Sequence, residues 1–155
     1  CLPPTYWHSA EVVTQANVDE QESAMTILDS TSWHDPLLVQ DFGIHLPEGA
    51  VVRGIRFDVT RWTDETHAVD DSVRVLKGGL PTGSDRRGEG PIPKERHDVT
   101  YGGPLDPWGT TWTKADVEAK DFGVSLSGKF TDTAGHERLY VQRVRARVSY
   151  SVGCP

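Results

Sequence analysis

Histidines and carboxylates are the residue types best suited to acid–base chemistry, and this chain carries both. Its six histidines lie far apart in the sequence, and the adjacent pair Asp70-Asp71 has the character of solvated loop residues. There is no Gly-x-Ser-x-Gly, no His-Glu-x-x-His and no Walker phosphate loop. We therefore predict that the chain is not an enzyme, and we assign no catalytic residue.

Oxygen ligands for a metal ion are concentrated in the acidic segment that runs from Asp64-Glu65 to Asp70-Asp71. Carboxylates suit calcium, but the segment lacks the Asp-x-Asp-x-Asp-Gly spacing that makes a calcium loop recognisable. We predict no metal site and no cofactor, and calcium at this loop remains open as an alternative.

The two cysteines, Cys1 and Cys154, stand at opposite ends of the sequence. This placement is hard to reconcile with core packing, metal ligation or thiol catalysis, so we predict that both are oxidised in a disulfide. The bond would join either the ends of one chain or two neighbouring subunits, and either form implies an oxidising compartment. Two free thiols, or an acylated Cys1 in a lipoprotein, remain as alternatives.

Tryptophan rings form flat surfaces on which sugar rings can stack, and this chain has five of them. The candidate ligand-binding aromatics are Trp7, Trp33, Trp62, Trp108 and Trp112. The competing interpretation is that Trp108 and Trp112 follow a Tyr-Gly-Gly turn and cover one end of the hydrophobic core.

Three arginines, Arg143, Arg145 and Arg147, alternate with apolar residues near the end of the sequence. They are expected to project from one face of a strand, where like charges repel unless acids lie opposite. We predict ordinary cross-strand acidic partners, with a subunit contact to an acidic loop of a neighbouring copy as the second interpretation.

The elements that must position these residues are predicted to be strands. The clearest has an apolar face formed by Val144, Ala146, Val148, Tyr150 and Val152. A second, over 51–59, places Val51, Ile55, Phe57 and Val59 on one face, and shorter candidates cover 11–14, 24–28, 38–46, 73–77 and 122–126. The fold class is therefore all-β: an antiparallel β-sandwich, either jelly-roll or immunoglobulin-like.

Other segments complete this prediction. The segment Thr113–Ala119 is predicted to form one short helical turn capped by Thr113 and Asp116. The stretch over about 78–103 is rich in Gly, Pro and charge and is predicted to be a long surface loop within a single domain spanning 1–155. Asp41-Phe42-Gly43-Ile44 recurs as Asp121-Phe122-Gly123-Val124, which indicates two equivalent strands.

The net charge of the chain limits which classes of partner it can bind. A formal charge of −7 disfavours nucleic acid unless basic residues are strongly segregated, so we predict no nucleic-acid partner. No continuous apolar run has the length of about 20 residues that a membrane span requires. We predict a homo-oligomer or polymer, with a glycan as the second candidate partner.

Two segments together resemble a known family: residues 42–55, FGIHLPEGAVVRGI, and residues 101–117, where YGG is followed by DPWGTTWTKADV. The chain resembles, from about Trp7 to Tyr150, a poorly characterised β-sandwich domain of secreted bacterial proteins and tailed-phage virion proteins. This resemblance brings no catalytic residues. It implies an extracellular or virion structural role, whereas the terminal cysteines depart from the usual pattern of the family.

These observations predict a non-enzymatic, extracellular or cell-surface structural subunit that assembles into a filament, appendage or virion component. The alternative is a carbohydrate-binding module or adhesin.

Overall fold

The computed structural model describes residues 12–16, 24–28, 36–64, 68–130 and 137–152. Its elements in chain order are β1 (Val12–Ala16), β2 (Ala24–Leu28), β3 (Leu37–Gln40), β4 (Ala50–Thr63), β5 (Ala68–Lys77), β6 (Leu80–Thr82), β7 (His97–Gly102), α1 (Lys114–Glu118), β8 (Gly123–Phe130) and β9 (Glu137–Val152).

The described strands form two antiparallel sheets. The five-stranded sheet has the order β1-β9-β4-β7, and β2 pairs with β9 beyond β1 along the same edge. The four-stranded sheet has the order β3-β8-β5-β6. The sheets enclose one large apolar cluster, so the predicted all-β antiparallel sandwich is confirmed, and the part of the chain that the structure describes contains one short helix, as predicted.

Alternation on the two longest strands builds the core. Most residues of the two predicted apolar faces are buried, whereas Val51 and Val152, at the strand ends, are each 46% exposed; the buried ones are Ile55, Phe57, Val59, Val144, Ala146, Val148 and Tyr150. The two sheets meet through aromatic rings, since the Phe57 ring of β4 lies 6.0 Å from the ring of Phe122, the residue that precedes β8. Removing such apolar surface from water is the main favourable contribution to folding.

Two predicted strands differ in detail. Val51 was placed on the buried face but is 46% exposed, because an irregularity between Val52 and Gly54 shifts the register of β4. The predicted strand over 38–46 ends at Gln40, although Phe42, Ile44 and Leu46 still alternate inward. Positive φ angles at Asp41 (61°) and Gly43 (67°) interrupt the extended geometry that a ladder requires.

The repeated Asp-Phe-Gly segments are not equivalent strands, contrary to the prediction. Gly123 begins β8, whereas Gly43 lies outside any strand. What the repeats share is the burial of their phenylalanines, because Phe42 and Phe122 pack edge-on with ring centroids 6.2 Å apart.

The segment 78–103, predicted as a long surface loop, carries β6 and β7 at its two ends. Between them the chain follows β5 irregularly: Arg86 N–H donates to the Val73 carbonyl, and Ile92 N–H donates to the Ala68 carbonyl. It then crosses to the other sheet, where β7 pairs with β4. The alternation of His97, Val99 and Tyr101 that forms β7 is too short to stand out among flanking glycines, prolines and charges.

Helix α1 begins as predicted. The Thr113 hydroxyl accepts from Asp116 N–H, while the Asp116 carboxylate accepts from Thr113 N–H, which is a reciprocal capping box. The described part of the chain contains no helix long and apolar enough to cross a membrane.

Candidate functional site

The outer surface of the five-stranded sheet carries the three arginines singled out by the sequence. On β9, Val144, Ala146 and Val148 are fully buried, so Arg143 and Arg147 point to the opposite side of the sheet. We call this outer surface the arginine face; its described charged side chains are Arg53, Arg56, Asp58, Asp98, Arg143, Arg145 and Arg147.

Strand register decides which of these charges lie opposite each other. Arg143 lies opposite Thr60, and Arg145 lies opposite Asp58. Arg147 lies opposite Arg56, a second arginine. Among the three, Arg145 therefore has an acidic residue opposite it on β4, and the pair Arg56/Arg147 brings like charges together.

Two hydrogen bonds and an ion pair hold Asp58 in place. Arg56 donates to its Oδ1 atom from Nε at 3.0 Å, and the Thr100 hydroxyl donates to the same atom at 2.6 Å. The Arg56 Nη2 atom is also 3.0 Å from this oxygen. All the hydrogen bonds described for Asp58 thus reach one of its two carboxylate oxygens.

Two further polar contacts extend along the face. The Thr60 hydroxyl donates to the Asp98 carboxylate across β4 and β7. At the other end of β4, Arg53 Nε donates to Ser151 Oγ at 2.9 Å. The arginine face therefore alternates cationic groups with hydroxyls and carboxylates.

An aromatic pair stands at one end of the arginine face. Trp62 and Tyr140 are cross-strand neighbours on β4 and β9, and both are partly exposed. Their rings are stacked, with centroids 5.2 Å apart and planes inclined by 10°. Because each ring covers one face of the other, the pair forms a rigid aromatic platform fixed by two strands.

Trp62 belongs on this face because of strand parity. It lies between Arg61 and Thr63, whose side chains are buried, so its own side chain points outward. Tyr140 was not among the predicted site residues. It alternates with Leu139 and Val141, which are buried, and that pattern is the signal from which it could have been found.

The other described tryptophans are not part of this face. Trp108 is fully buried, donates from Nε1 to the Ile55 carbonyl at 2.8 Å, and packs edge-on against Phe57. Trp112 packs edge-on against Phe122, and Lys77 Nζ lies 5.6 Å from its ring centroid. The core-covering interpretation is therefore correct for these two, and Trp7 and Trp33 lie outside the described residues.

The backbone comes so close to Trp108 and Ile55 at position 102 that this residue of the Tyr-Gly-Gly turn must be glycine. Gly102 has a φ of +80°, and a Cβ atom there would lie 2.2 Å from the Ile55 carbonyl oxygen and 2.6 Å from Trp108 Nε1. Only glycine fits this position, so the turn can bring the buried indole against β4.

A buried polar cluster lies beneath the arginine face. Asp70 Oδ1 accepts from Arg61 Nη1 at 2.5 Å, and Asp70 Oδ2 accepts from Tyr101 Oη at 2.7 Å and from Gly88 N–H at 3.0 Å. Arg61 and Asp70 side chains are only 9% and 4% exposed. The cluster ties β4, β5, β7 and the segment beside β5 together.

Burial raises the pKa of the Tyr101 phenol above its ordinary value. The nearby Arg61 guanidinium opposes this shift, and the Asp70 carboxylate reinforces it by repelling the phenolate and accepting the phenol's hydrogen bond. Tyr101 thus stays protonated and serves as a donor. Sequence reasoning missed the cluster, although Arg61 falls at an inward position of β4.

This arrangement bears on the acid–base and calcium alternatives. Contrary to the prediction of solvated loop residues, both lie on β5: Asp70 is bound by Arg61 inside the fold, while Asp71 Oδ1 lies 3.6 Å from Lys129 Nζ. The paired carboxylates therefore have separate partners and do not converge on a common point. Within the described residues, no cluster of three or more His, Cys, Asp or Glu side chains is placed to hold a metal ion.

The disulfide prediction concerns Cys1 and Cys154, which lie outside the described residues, as does Glu65 of the predicted acidic loop.

No protein-family model and no curated protein matches the chain. Among solved structures, one described as "CBM4 structure and function", a carbohydrate-binding module, is similar to it. The likeness has a TM-score of 0.50 at 13% identity and covers 88% of this chain and 94% of that chain. At this identity the likeness shows the fold, an antiparallel β-sandwich.

Proposed function

We propose that the chain is a non-catalytic, extracellular carbohydrate-binding module and that the arginine face is its binding surface. The observation that carries the proposal is the stacked pair Trp62/Tyr140, which stands on the outside of a sheet beside a row of charged and hydroxyl groups.

The chemistry of this surface suits a sugar polymer. An aromatic ring offers an apolar plane to the C–H face of a pyranose, and aligned polar groups exchange hydrogen bonds with its hydroxyls. Asp58 and Asp98 supply acceptors, and the arginines supply donors. The likeness to a carbohydrate-binding module supports the same proposal.

Rigidity supports binding as well. Trp62 and Tyr140 sit on β4 and β9, the two longest strands, which pair with each other over most of their length. An aromatic platform fixed by packing loses little conformational entropy when a ligand binds, so less of the interaction free energy is spent on ordering.

The carboxylates of the face favour binding over catalysis. Asp58 is bonded to Arg56 and Thr100, and Asp98 is bonded to Thr60. A general acid or base must reach the substrate atom with which it exchanges a proton, whereas these carboxylates are engaged by neighbouring side chains of the sheet.

The self-assembling subunit predicted from the sequence would use the same surface, with an acidic segment of a second copy as the partner of its arginines. The two functions therefore compete for one face.

Extracellular location is part of the proposal and is supported by the resemblance of 42–55 and 101–117 to domains of secreted and virion proteins.

Glycan-array binding of the purified chain, followed by titration calorimetry on the best ligand, tests the proposal. Trp62→Ala is expected to weaken binding by about tenfold or more, as is typical for an aromatic anchor. Leu38→Ala is the matched control, because Leu38 is 47% exposed on the other sheet, and it should leave affinity unchanged.

Thermal unfolding of each variant shows whether the fold is retained. The proposal is refuted if the unaltered chain binds no glycan, or if Trp62→Ala binds as tightly as the unaltered chain. Concentration-dependent self-association that Arg145→Glu abolishes would support the self-assembling subunit in its place.

A further inference from the structure

Charge is distributed unevenly over this protein. The chain as a whole has a formal charge of −7. On the arginine face, however, Arg53, Arg56, Arg143, Arg145 and Arg147 stand against Asp58 and Asp98 among the described side chains. Such segregation produces a local positive potential on an acidic protein, which attracts anions to this surface in particular.

Register places two arginines side by side on this face, one of which, Arg56, also binds Asp58. Arg56 and Arg147 are directly opposite each other, and like charges in that position repel. On its other side, β9 pairs with β1, where Val13 lies opposite Arg147 and Gln15 lies opposite Arg145.

The choice of arginine indicates the kind of anion. A guanidinium presents its donors in a planar fork that matches two oxygens of one anionic group, and it holds its charge at any ordinary pH. The cationic side chains described on the strands of this face are all arginines. Carboxylate or sulfate groups on a ligand would therefore find matching donors.

The spacing of the groups indicates a polymer. Arg56 and Trp62 lie six positions apart on β4, so the arginine pair and the aromatic platform are separated by about 20 Å at roughly 3.3 Å per residue. One sugar cannot touch both ends. An extended chain could place a ring on Trp62 and its anionic groups on the arginines.

We infer that the ligand of the arginine face is an acidic polysaccharide, a chain of sugars bearing carboxylate or sulfate groups. The inference rests on the proposed carbohydrate-binding function and specifies its ligand class.

The positions of Asp58 and Asp98 favour an acidic polysaccharide over a nucleic acid as the ligand. They lie between the arginine pair and the aromatic platform, so a strand with a phosphate at every unit would be held against two carboxylates. A polysaccharide carries hydroxyls that can donate to these carboxylates. The overall negative charge also opposes binding of a long phosphate backbone.

The test compares two forms of one backbone. Polygalacturonate carries a carboxylate on each sugar, and its fully methyl-esterified form removes the charge while keeping the ring and its hydroxyls. We expect the acid form to bind at least about tenfold more tightly at low salt, because hydrogen bonds to charged groups are the stronger ones. At about 0.5 M salt, where charges are strongly screened, most of this difference should disappear. Dextran sulfate against dextran makes the same comparison for sulfate.

Variants separate charge from stacking. Arg145→Gln and Arg147→Gln are each expected to weaken binding of the acid form by about three- to tenfold and to leave binding of the neutral form nearly unchanged. Trp62→Ala should weaken both forms by a similar factor. Arg87→Gln is the matched control, because Arg87 is 55% exposed beside the other sheet, and it should alter neither affinity.

Each outcome has a distinct meaning. Equal affinity for both forms of each backbone overturns the inference and leaves the proposed function standing. Absence of binding to every glycan overturns both. Double-stranded DNA bound as tightly as the acidic glycan, with no effect of Trp62→Ala, would show simple charge attraction and would also overturn the inference.

Discussion

Removing the Asp70 carboxylate should strongly destabilise this protein, because three donors depend on it. Asp70 accepts hydrogen bonds from Arg61, Tyr101 and the Gly88 amide, and the Arg61 side chain is 9% exposed. In Asp70→Ala the guanidinium stays buried without its counter-ion, and the phenol loses its acceptor. Breaking a buried ion pair in this way costs about 3–5 kcal/mol of unfolding free energy.

Equilibrium unfolding in urea, followed by tryptophan fluorescence, measures this loss. With a slope of about 2 kcal/mol per molar, the midpoint should fall by about 2 M. Two further variants show how large a loss of unfolding free energy smaller changes cause. Tyr101→Phe removes one hydrogen bond and should cost about 1 kcal/mol. Asp71→Ala removes a surface carboxylate near Lys129 and should cost under about 1 kcal/mol.

A double variant distinguishes a stranded charge from a general packing defect. Arg61→Met/Asp70→Ala removes the guanidinium together with its partner, so it should be more stable than Asp70→Ala alone. The reasoning is wrong if Asp70→Ala costs less than about 1 kcal/mol, or if the double variant is no more stable than the single one.

Three further results are expected. Because burial raises the pKa of Tyr101, its stabilisation is complete below about pH 10 and declines at higher pH, so Tyr101→Phe should flatten the alkaline loss of stability. Hydrogen bonds from Lys114 and from Leu46 N–H lower the pKa of Glu118, so its contribution is present above about pH 4.3 and is lost as pH falls through the lowered value. Glu118→Gln should therefore flatten the acid limb of the same curve, and an unchanged limb would contradict this assignment. Trp108→Ala should cost about 3–5 kcal/mol in urea unfolding, since it empties a fully buried site; a cost under about 1 kcal/mol would refute that role.

Local patterns in the sequence were sufficient for the longest strands, for their inward side and for the start of the helix. The period of two along β9 separates Val144, Ala146 and Val148 from the arginines between them, because successive side chains of a strand point to opposite faces. Likewise, Thr113 and Asp116 identify the start of α1, because a capping box is formed by residues three positions apart.

Local irregularities limited the same reasoning. Nothing in the alternation of 51–59 reveals the shift near Gly54, and nothing in 38–46 reveals the positive φ angles of Asp41 and Gly43. Such features depend on how the chain meets its neighbours, so the strand ends and the exposure of Val51 were predicted incorrectly.

The candidate site depends on contacts between distant parts of the chain. Trp62 stacks on Tyr140 and Arg56 faces Arg147 because β4 pairs with β9 in one particular register. Composition could not separate Trp62, on the surface, from Trp108, in the core, since each ring is buried or exposed according to what packs against it. Periodicity tells which side of a strand a residue occupies, whereas its cross-strand partners follow from the free energy of the whole packed sandwich.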